Sequence, residues 1–195
     1  TEESWDAIAT SITTITQVCR DGGCDYPETI VPSLRALSIP ITSAIKSERT
    51  RLSGVAIDCI TELATGLGTS FESLLPAFFP TLLSVCARTN KVFVTRARAC
   101  ILVIIESTQL PSILPYFVHS IKDKSTSLRL VAAIGVLTCM NCLNPPDLEK
   151  EVRAKEIENL IKATTRDANA DVRKTGRKVF EAFKVLLPDR VDKYV

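Results

Sequence analysis

The sequence predicts an all-α protein, an α-solenoid of stacked helix pairs, on three observations. Four times a polar stretch carrying Arg or Lys runs straight into an apolar pattern of helical period, with Leu52, Phe93, Leu128 and Val172 as the first apolar anchors. The anchors lie 41, 35 and 44 residues apart, the interval of a repeat whose unit is a pair of antiparallel helices of the HEAT or armadillo kind. No strand-like alternation interrupts the pattern, so the chain should fold into about nine to eleven helices without a sheet. Such a solenoid presents an edge built from equivalent loops, and its usual business is recognition of a large partner.

Each element follows from its own residues. A lone segment from about Glu2 to Cys19 reads as what remains of a further repeat, with Trp5, Ile8, Ile12, Ile15 and Val18 able to form one apolar face. The first helices of the pairs carry Ile30, Val31, Leu34, Leu37 and Ile41; then Leu74, Leu75, Phe78, Phe79, Leu82, Leu83 and Cys86; then Leu110, Ile113, Leu114, Phe117, Val118 and Ile121; then Leu148, Val152, Ile157, Leu160 and Ile161. After Leu52 the second helix shows Val55, Ala56, Cys59, Ile60, Leu63, Ala64 and Leu67, one face of an α-helix without a miss, and Leu128 starts the same series. Phe93 and Val172 begin sparser versions, ending at Ile105 and Leu187.

Proline and glycine mark the boundaries. Pro27, Pro32, Pro76 and Pro111 suit first turns, whereas Pro40, Pro80 and Pro115 should kink or end a helix. The breaks at Asp21-Gly22-Gly23, Gly66 to Thr69, Asn144-Pro145-Pro146 and Pro188-Asp189 fall between helices. The expectation is one domain over 1–195, with repeats at about 1–25 (partial), 26–69, 70–108, 109–146 and 147–195.

Composition narrows the function. With 195 residues and 46% hydrophobic content the chain can bury a continuous core. Its longest apolar runs fall short of the roughly 20 residues a bilayer span needs, and no signal peptide opens it. A soluble intracellular protein, or a fragment of one, is the expectation. Seven cysteines agree, since an odd number fits a disulfide framework poorly, and Cys59, Cys86, Cys100 and Cys139 lie on apolar faces as small hydrophobes. Cys139 and Cys142 have metal or redox spacing, but no second pair exists and the only histidine is His119, so no metal and no cofactor is expected. Without a glycine-rich phosphate loop or a Gly-x-Ser-x-Gly turn the chain does not read as an enzyme. Gly66 and Gly68 follow a helix and read as its C-terminus.

What recurs is charge between the helices of each pair. Arg49 and Arg51 precede Leu52, Lys91 precedes Phe93, Lys122 and Lys124 precede Leu128, and Arg173 and Lys174 follow Val172. If the units stack regularly these side chains line one edge, and with a net charge of only +2 their placement matters more than their number. They either solvate helix ends or face an acidic partner. Cations are disfavoured at the positive end of a helix dipole, so a fourfold recurrence favours the partner.

The chain resembles a known family at Ser47-Glu48-Arg49-Thr50-Arg51-Leu52, Ile60-x-x-Leu63-Ala64-x-x-Leu67-Gly68-x-x-Phe71-Glu72, Asn90-Lys91-Val92, Lys124-Ser125, Asp171-Val172-Arg173-x-x-x-Arg177-x-x-Phe180 and Leu187-Pro188-Asp189-Arg190. These look like the TOG (tumour overexpressed gene) domain of CLASP, the CLIP-associating proteins. The resemblance implies a paddle of HEAT repeats whose intra-repeat loops contact the tubulin heterodimer or the microtubule lattice. It further implies a cytoplasmic, cytoskeletal location on microtubules and the spindle, with rescue favoured and catastrophe suppressed. It carries Trp5 over as the first-loop aromatic, Ser47 and Arg49 in the second loop, Lys91 in the third, Lys124 in the fourth and Arg173 in the fifth. No membrane partner is expected, and the domain should be monomeric. Where the family often has Arg and Ala after the Ser-x-Arg loop, this chain has Ser53-Gly54. Two other readings stand beside this one: a HEAT or armadillo adaptor holding a peptide or protein, and, less favoured by the near-neutral charge, a nucleic-acid binder. Trp5 itself reads either as core or as an interface anchor.

Overall fold

The computed structural model describes residues 2–191, so the outer limits placed at 1 and 195 lie outside the described residues. Every regular element among them is helical: twelve α-helices and three short 3-10 segments, with no strand. Contacts divide the chain into two compact units, Thr1–Thr108 and Gln109–Val195.

The first unit contains α1 (Glu2–Arg20), a 3-10 turn (Gly23–Asp25), α2 (Pro27–Ala36), α3 (Ser38–Ile45), α4 (Thr50–Leu67), a 3-10 segment (Gly68–Leu74), α5 (Leu75–Cys86) and α6 (Lys91–Thr108). Helix α4 lies between α1 and α6, while α3 packs on α4 and α5 on α6. The apolar face counted from Leu52 is buried throughout except for half-buried Val55. Gly68 closes α4 with φ of 52°, a left-handed conformation that glycine adopts without a steric penalty. The segment Thr50–Cys86 is apolar and long enough by composition to cross a membrane, but here it is three elements and over half of its apolar window is buried in the fold.

The second unit contains a 3-10 turn (Pro111–Ile113), α7 (Leu114–Ser120), α8 (Thr126–Cys142), α9 (Pro145–Glu149), α10 (Glu151–Thr164), α11 (Ala170–Leu186) and α12 (Pro188–Val191). Helix α8 packs against α11, α7 against α8, and α10 against α11. Gly135 of α8 sits under the Phe117 ring, where a Cβ would approach Cε1 to 2.6 Å. The helix count exceeds the expected range because α9 and α12, five and four residues long, are separate proline-started turns.

Several local expectations need correction. The break expected at Pro40 does occur, at Leu37, because Pro40 offers no N–H to the Ala36 carbonyl and its ring crowds that carbonyl. Leu37 is consequently exposed, as is Val152 in α10. Pro32 lies inside α2 and not in its first turn. Helix α5 runs on through Pro80; burial of Phe78, Phe79, Leu82 and Leu83, each worth about 1.5–3 kcal/mol, outweighs the roughly 3 kcal/mol of an interior proline. On α1 the buried stripe is Ala9, Ile12, Thr16 and Cys19, facing α4, while Ile8 and Val18 are exposed. Six of the seven cysteines are buried, and burial pushes the Cys86 and Cys100 thiols up to about 12.

Candidate functional site

In the first unit the candidate residues gather where α1, α4 and α6 begin. Trp5 stands in the first turns of α1 and is half-buried. The Arg49 guanidinium lies 5.0 Å from its ring centroid and that of Arg51 5.7 Å, within cation–π range. Arg51 also pairs with Asp6 at 3.1 Å. The indole Nε1 is buried without a hydrogen-bond partner among the described residues. Ser47 shapes the loop ahead of α4 by accepting the Arg49 N–H at its Oγ, 3.1 Å away, which leaves Arg49 as the extended residue capping α4.

The next loop is fastened to this one by Arg88. Its Nη1 donates to the Ser47 carbonyl at 3.3 Å and its Nη2 to the Lys46 carbonyl. The same guanidinium reaches Glu48 at 3.3 Å and lies 5.1 Å from the Phe93 ring centroid. Lys91 begins α6 three residues later and is exposed. Beside it Asn90 accepts the Val92 N–H at 3.0 Å, completing the start of α6. Arg49 therefore contacts both Trp5 and Ser47, and Lys91 belongs to a loop bonded to the one that carries Ser47 and Arg49.

In the second unit the two loops share one design. Asp123 accepts the Ser125 N–H at 2.7 Å and Asp167 the Asn169 N–H at 2.8 Å. Ser125 and Asn169 in turn cap α8 and α11, accepting from Leu128 and from Asp171 and Val172. Four residues after each cap comes an arginine. Arg129 donates to the carbonyls of Asp123 and Lys124 at 3.0 and 3.1 Å, and Arg173 to those of Asp167 and Ala168 at 2.8 and 2.7 Å.

A bidentate pair joins these loops. Arg129 Nε and Nη2 donate to Asp167 Oδ2 and Oδ1 at 2.7 and 3.1 Å, with side chains only 15% and 8% exposed. The hydrogen bonds from Arg129 hold the Asp167 carboxyl below its ordinary range, against a smaller opposing effect of burial. Lys124 is exposed at this rigid loop, whereas Arg173 is half-buried and turned back on its own loop.

A family model described as CLASP N terminal matches residues 1–195. The chain belongs to the CLASP N-terminal family. It is 27% identical over 186 residues to Protein peg1 of Schizosaccharomyces pombe, a match covering 92% of this chain and 13% of that relative. The chain thus spans less than a fifth of the length of the curated relatives it matches. Two solved structures show the fold. One, from work on microtubule plus-end tracking by XMAP215, CLIP-170 and EB1, is 22% identical with a TM-score of 0.68, covering 96% of this chain and 77% of that one. The other, from work on tubulin recruitment and assembly by microtubule polymerases with TOG domain arrays, is 16% identical with a TM-score of 0.67, covering 86% and 35%.

Within this CLASP-family chain, sequence reasoning missed Arg88, Arg129, Asp123 and Asp167. A signal for three of them was present. Asp-x-Ser/Asn-x-x-x-Arg occurs at 123–129 and again at 167–173, offset by the same 44 residues as the anchors Leu128 and Val172. The dipole argument also needs revising, because Arg49 and Arg51 rest on Trp5 and Arg173 binds loop carbonyls. These cations are not stranded at a positive helix end.

Proposed function

We propose that this chain is a non-catalytic tubulin-binding module of a CLASP-like microtubule regulator, acting through the loops at the helix starts of each unit. The observation that carries the reading is the Trp5–Arg49 stack on a loop fastened by Arg88, in a chain of the CLASP N-terminal family. An aromatic ring flanked by arginines and held in place before any partner arrives is the composition and rigidity of an interface hot spot. Arg49, Lys91 and Lys124 supply attraction to an acidic surface, and Ser47 and Arg173 hold the backbone that presents them. The partner is the tubulin heterodimer or the microtubule lattice, which places the protein on the cytoplasmic cytoskeleton and spindle. Within the full-length protein the module favours rescue and suppresses catastrophe.

Size-exclusion chromatography with purified tubulin and pelleting with stabilised microtubules test the proposal together. Co-elution or co-pelleting that weakens with rising salt is the expected result. A folded chain that does neither at micromolar concentration would leave the adaptor reading in its place.

A further inference from the structure

We infer that Arg96 is a further partner-contacting residue of the first unit, seated in a notch that Gly54 leaves in α4 and offering its guanidinium to a carboxylate of the acidic partner; this rests on the tubulin-binding reading above.

Gly54 is the starting observation. It is buried in the interior of α4 with no left-handed backbone angle, a place where glycine costs roughly 0.8–1.0 kcal/mol relative to alanine. Backbone conformation therefore does not call for it. What occupies the space is Arg96: a Cβ there would fall upon its Nη1 and lie 2.8 Å from its Cζ, so a methyl would push the guanidinium aside. The absent methyl is the seat of the guanidinium.

The second observation is what Arg96 lacks. Its residue is exposed, and among the described residues it makes no ion pair and donates no hydrogen bond. Asp58, one turn along α4 from Gly54, makes no ion pair with it, and Asp6 is engaged by Arg51. The arginines that fasten loops behave differently: Arg88, Arg129 and Arg173 each bind two carbonyls. Arg96 is thus an exposed cation resting against Gly54 with open donors, and a planar fork of this kind suits a carboxylate.

Its placement continues the loop cluster. Gly54 stands five residues beyond Arg49 and Arg96 five beyond Lys91, so both lie about 7.5 Å along their helices from the loop residues. Arg96 would carry the contact from the loops onto the surface between α4 and α6. It also bears on the Ser53-Gly54 pair: Ser53 turns inward to donate to the Ile45 carbonyl at 2.8 Å, and the cation at this level of the first unit comes from α6.

The test uses the 195-residue chain and tubulin, with Arg96→Met, which keeps the length and packing of the side chain and removes its charge, and with Gly54→Ala, which displaces the guanidinium. Arg96→Met should raise the Kd about tenfold at low salt and flatten the dependence of log Kd on log salt, with the melting temperature nearly unchanged. Gly54→Ala should weaken binding in the wild-type background and add nothing in the Arg96→Met background. A role in packing alone would shift the melting temperature and leave the salt slope where it was. If Arg96→Met binds as tightly as wild type while Arg49→Glu loses binding, the inference about Arg96 is wrong and the loop reading stands. If the wild-type chain binds no tubulin, the functional reading fails and takes this inference with it.

Discussion

Replacing Arg129 by Met would remove the group that joins the two loops of the second unit while nearly preserving its volume. Five hydrogen bonds go: two to the Asp167 carboxylate, two to loop carbonyls and one to the Thr126 hydroxyl. The larger effect is on Asp167, whose side chain is 8% exposed and would lose its paired cation, keeping only the Asn169 N–H and the more distant charge of Arg173. Breaking a buried pair in this way costs about 3–5 kcal/mol; because Arg129 retains 15% exposure, allowing water near the pair, we expect the low end, about 3 kcal/mol at pH 7. The folded-state pKa of Asp167 is lowered from an ordinary value of 3.8. The stabilisation of the wild-type chain is therefore present above that value and is lost as pH falls through the lower folded pKa. In the variant the carboxyl relieves itself by taking up a proton. The difference between the two proteins should accordingly be largest at neutral pH and shrink below about pH 4. Denaturant unfolding of both proteins at pH 7 and under acid conditions measures it. A loss under about 1 kcal/mol at pH 7, or a loss that does not change with pH, would refute the assignment of this pair as the fastener of the loops.

Reversing Arg49 and Lys91 to Glu should weaken tubulin binding by about 1–3 kcal/mol per site with little change in the thermal melt, since both are exposed; a folded double variant that binds normally would remove these loops from the mechanism. Trp5→Ala is expected to cost roughly 2 kcal/mol of binding, read by the same titration, and a lowered melting temperature with unchanged affinity would assign Trp5 to the core instead. Gly135→Ala forces a methyl into the Phe117 ring and should destabilise the chain by about 1–3 kcal/mol, measured by denaturant unfolding. With their thiols raised to about 12, Cys86 and Cys100 should resist alkylation at pH 8 in the folded chain and react once it is unfolded.

The second helices were the most legible part of the fold because burial alone fixes them: Leu52 to Leu67 and Leu128 to Leu143 hold one face for about four turns, and no other element competes for those residues. The first helices were less so. Their apolar residues recur just as regularly, yet Leu37 and Val152 are exposed, since periodicity identifies a face without saying whether a neighbour covers it. Prolines were read by position in a pattern, whereas their outcome depends on the burial around them, so Pro40 and Pro80, similar in sequence, give a break and an uninterrupted helix. At the site, the loops and their charges were visible, but direction was not. A sequence shows that Arg173 follows a helix start; only three dimensions show that it folds back onto Asp167 and Ala168.

The cations of this chain consequently divide into two kinds, and the repeat register separates them. Four residues after the cap, the second unit has Arg129 and Arg173, each closing the carbonyls of its own loop. The first unit has Ser53 and Val94 at that register and cannot do the same. The Lys46 and Ser47 carbonyls are bound instead by Arg88, reaching across from the following loop. An intra-loop contact has thereby become an inter-loop one, and the exchange has a physical consequence: in the first unit the loop that carries Arg49 is fixed relative to the loop that carries Lys91. Arginine suits the fastening role because its planar fork satisfies two carbonyls at once. Lysine, a compact charge on a flexible stem, remains exposed at positions 91 and 124. On this division the loop charges count toward the proposed partner only after the fasteners have been set aside, which leaves exposed Arg49, Lys91 and Lys124 among the proposed contacts, with Arg96 beside them on α6.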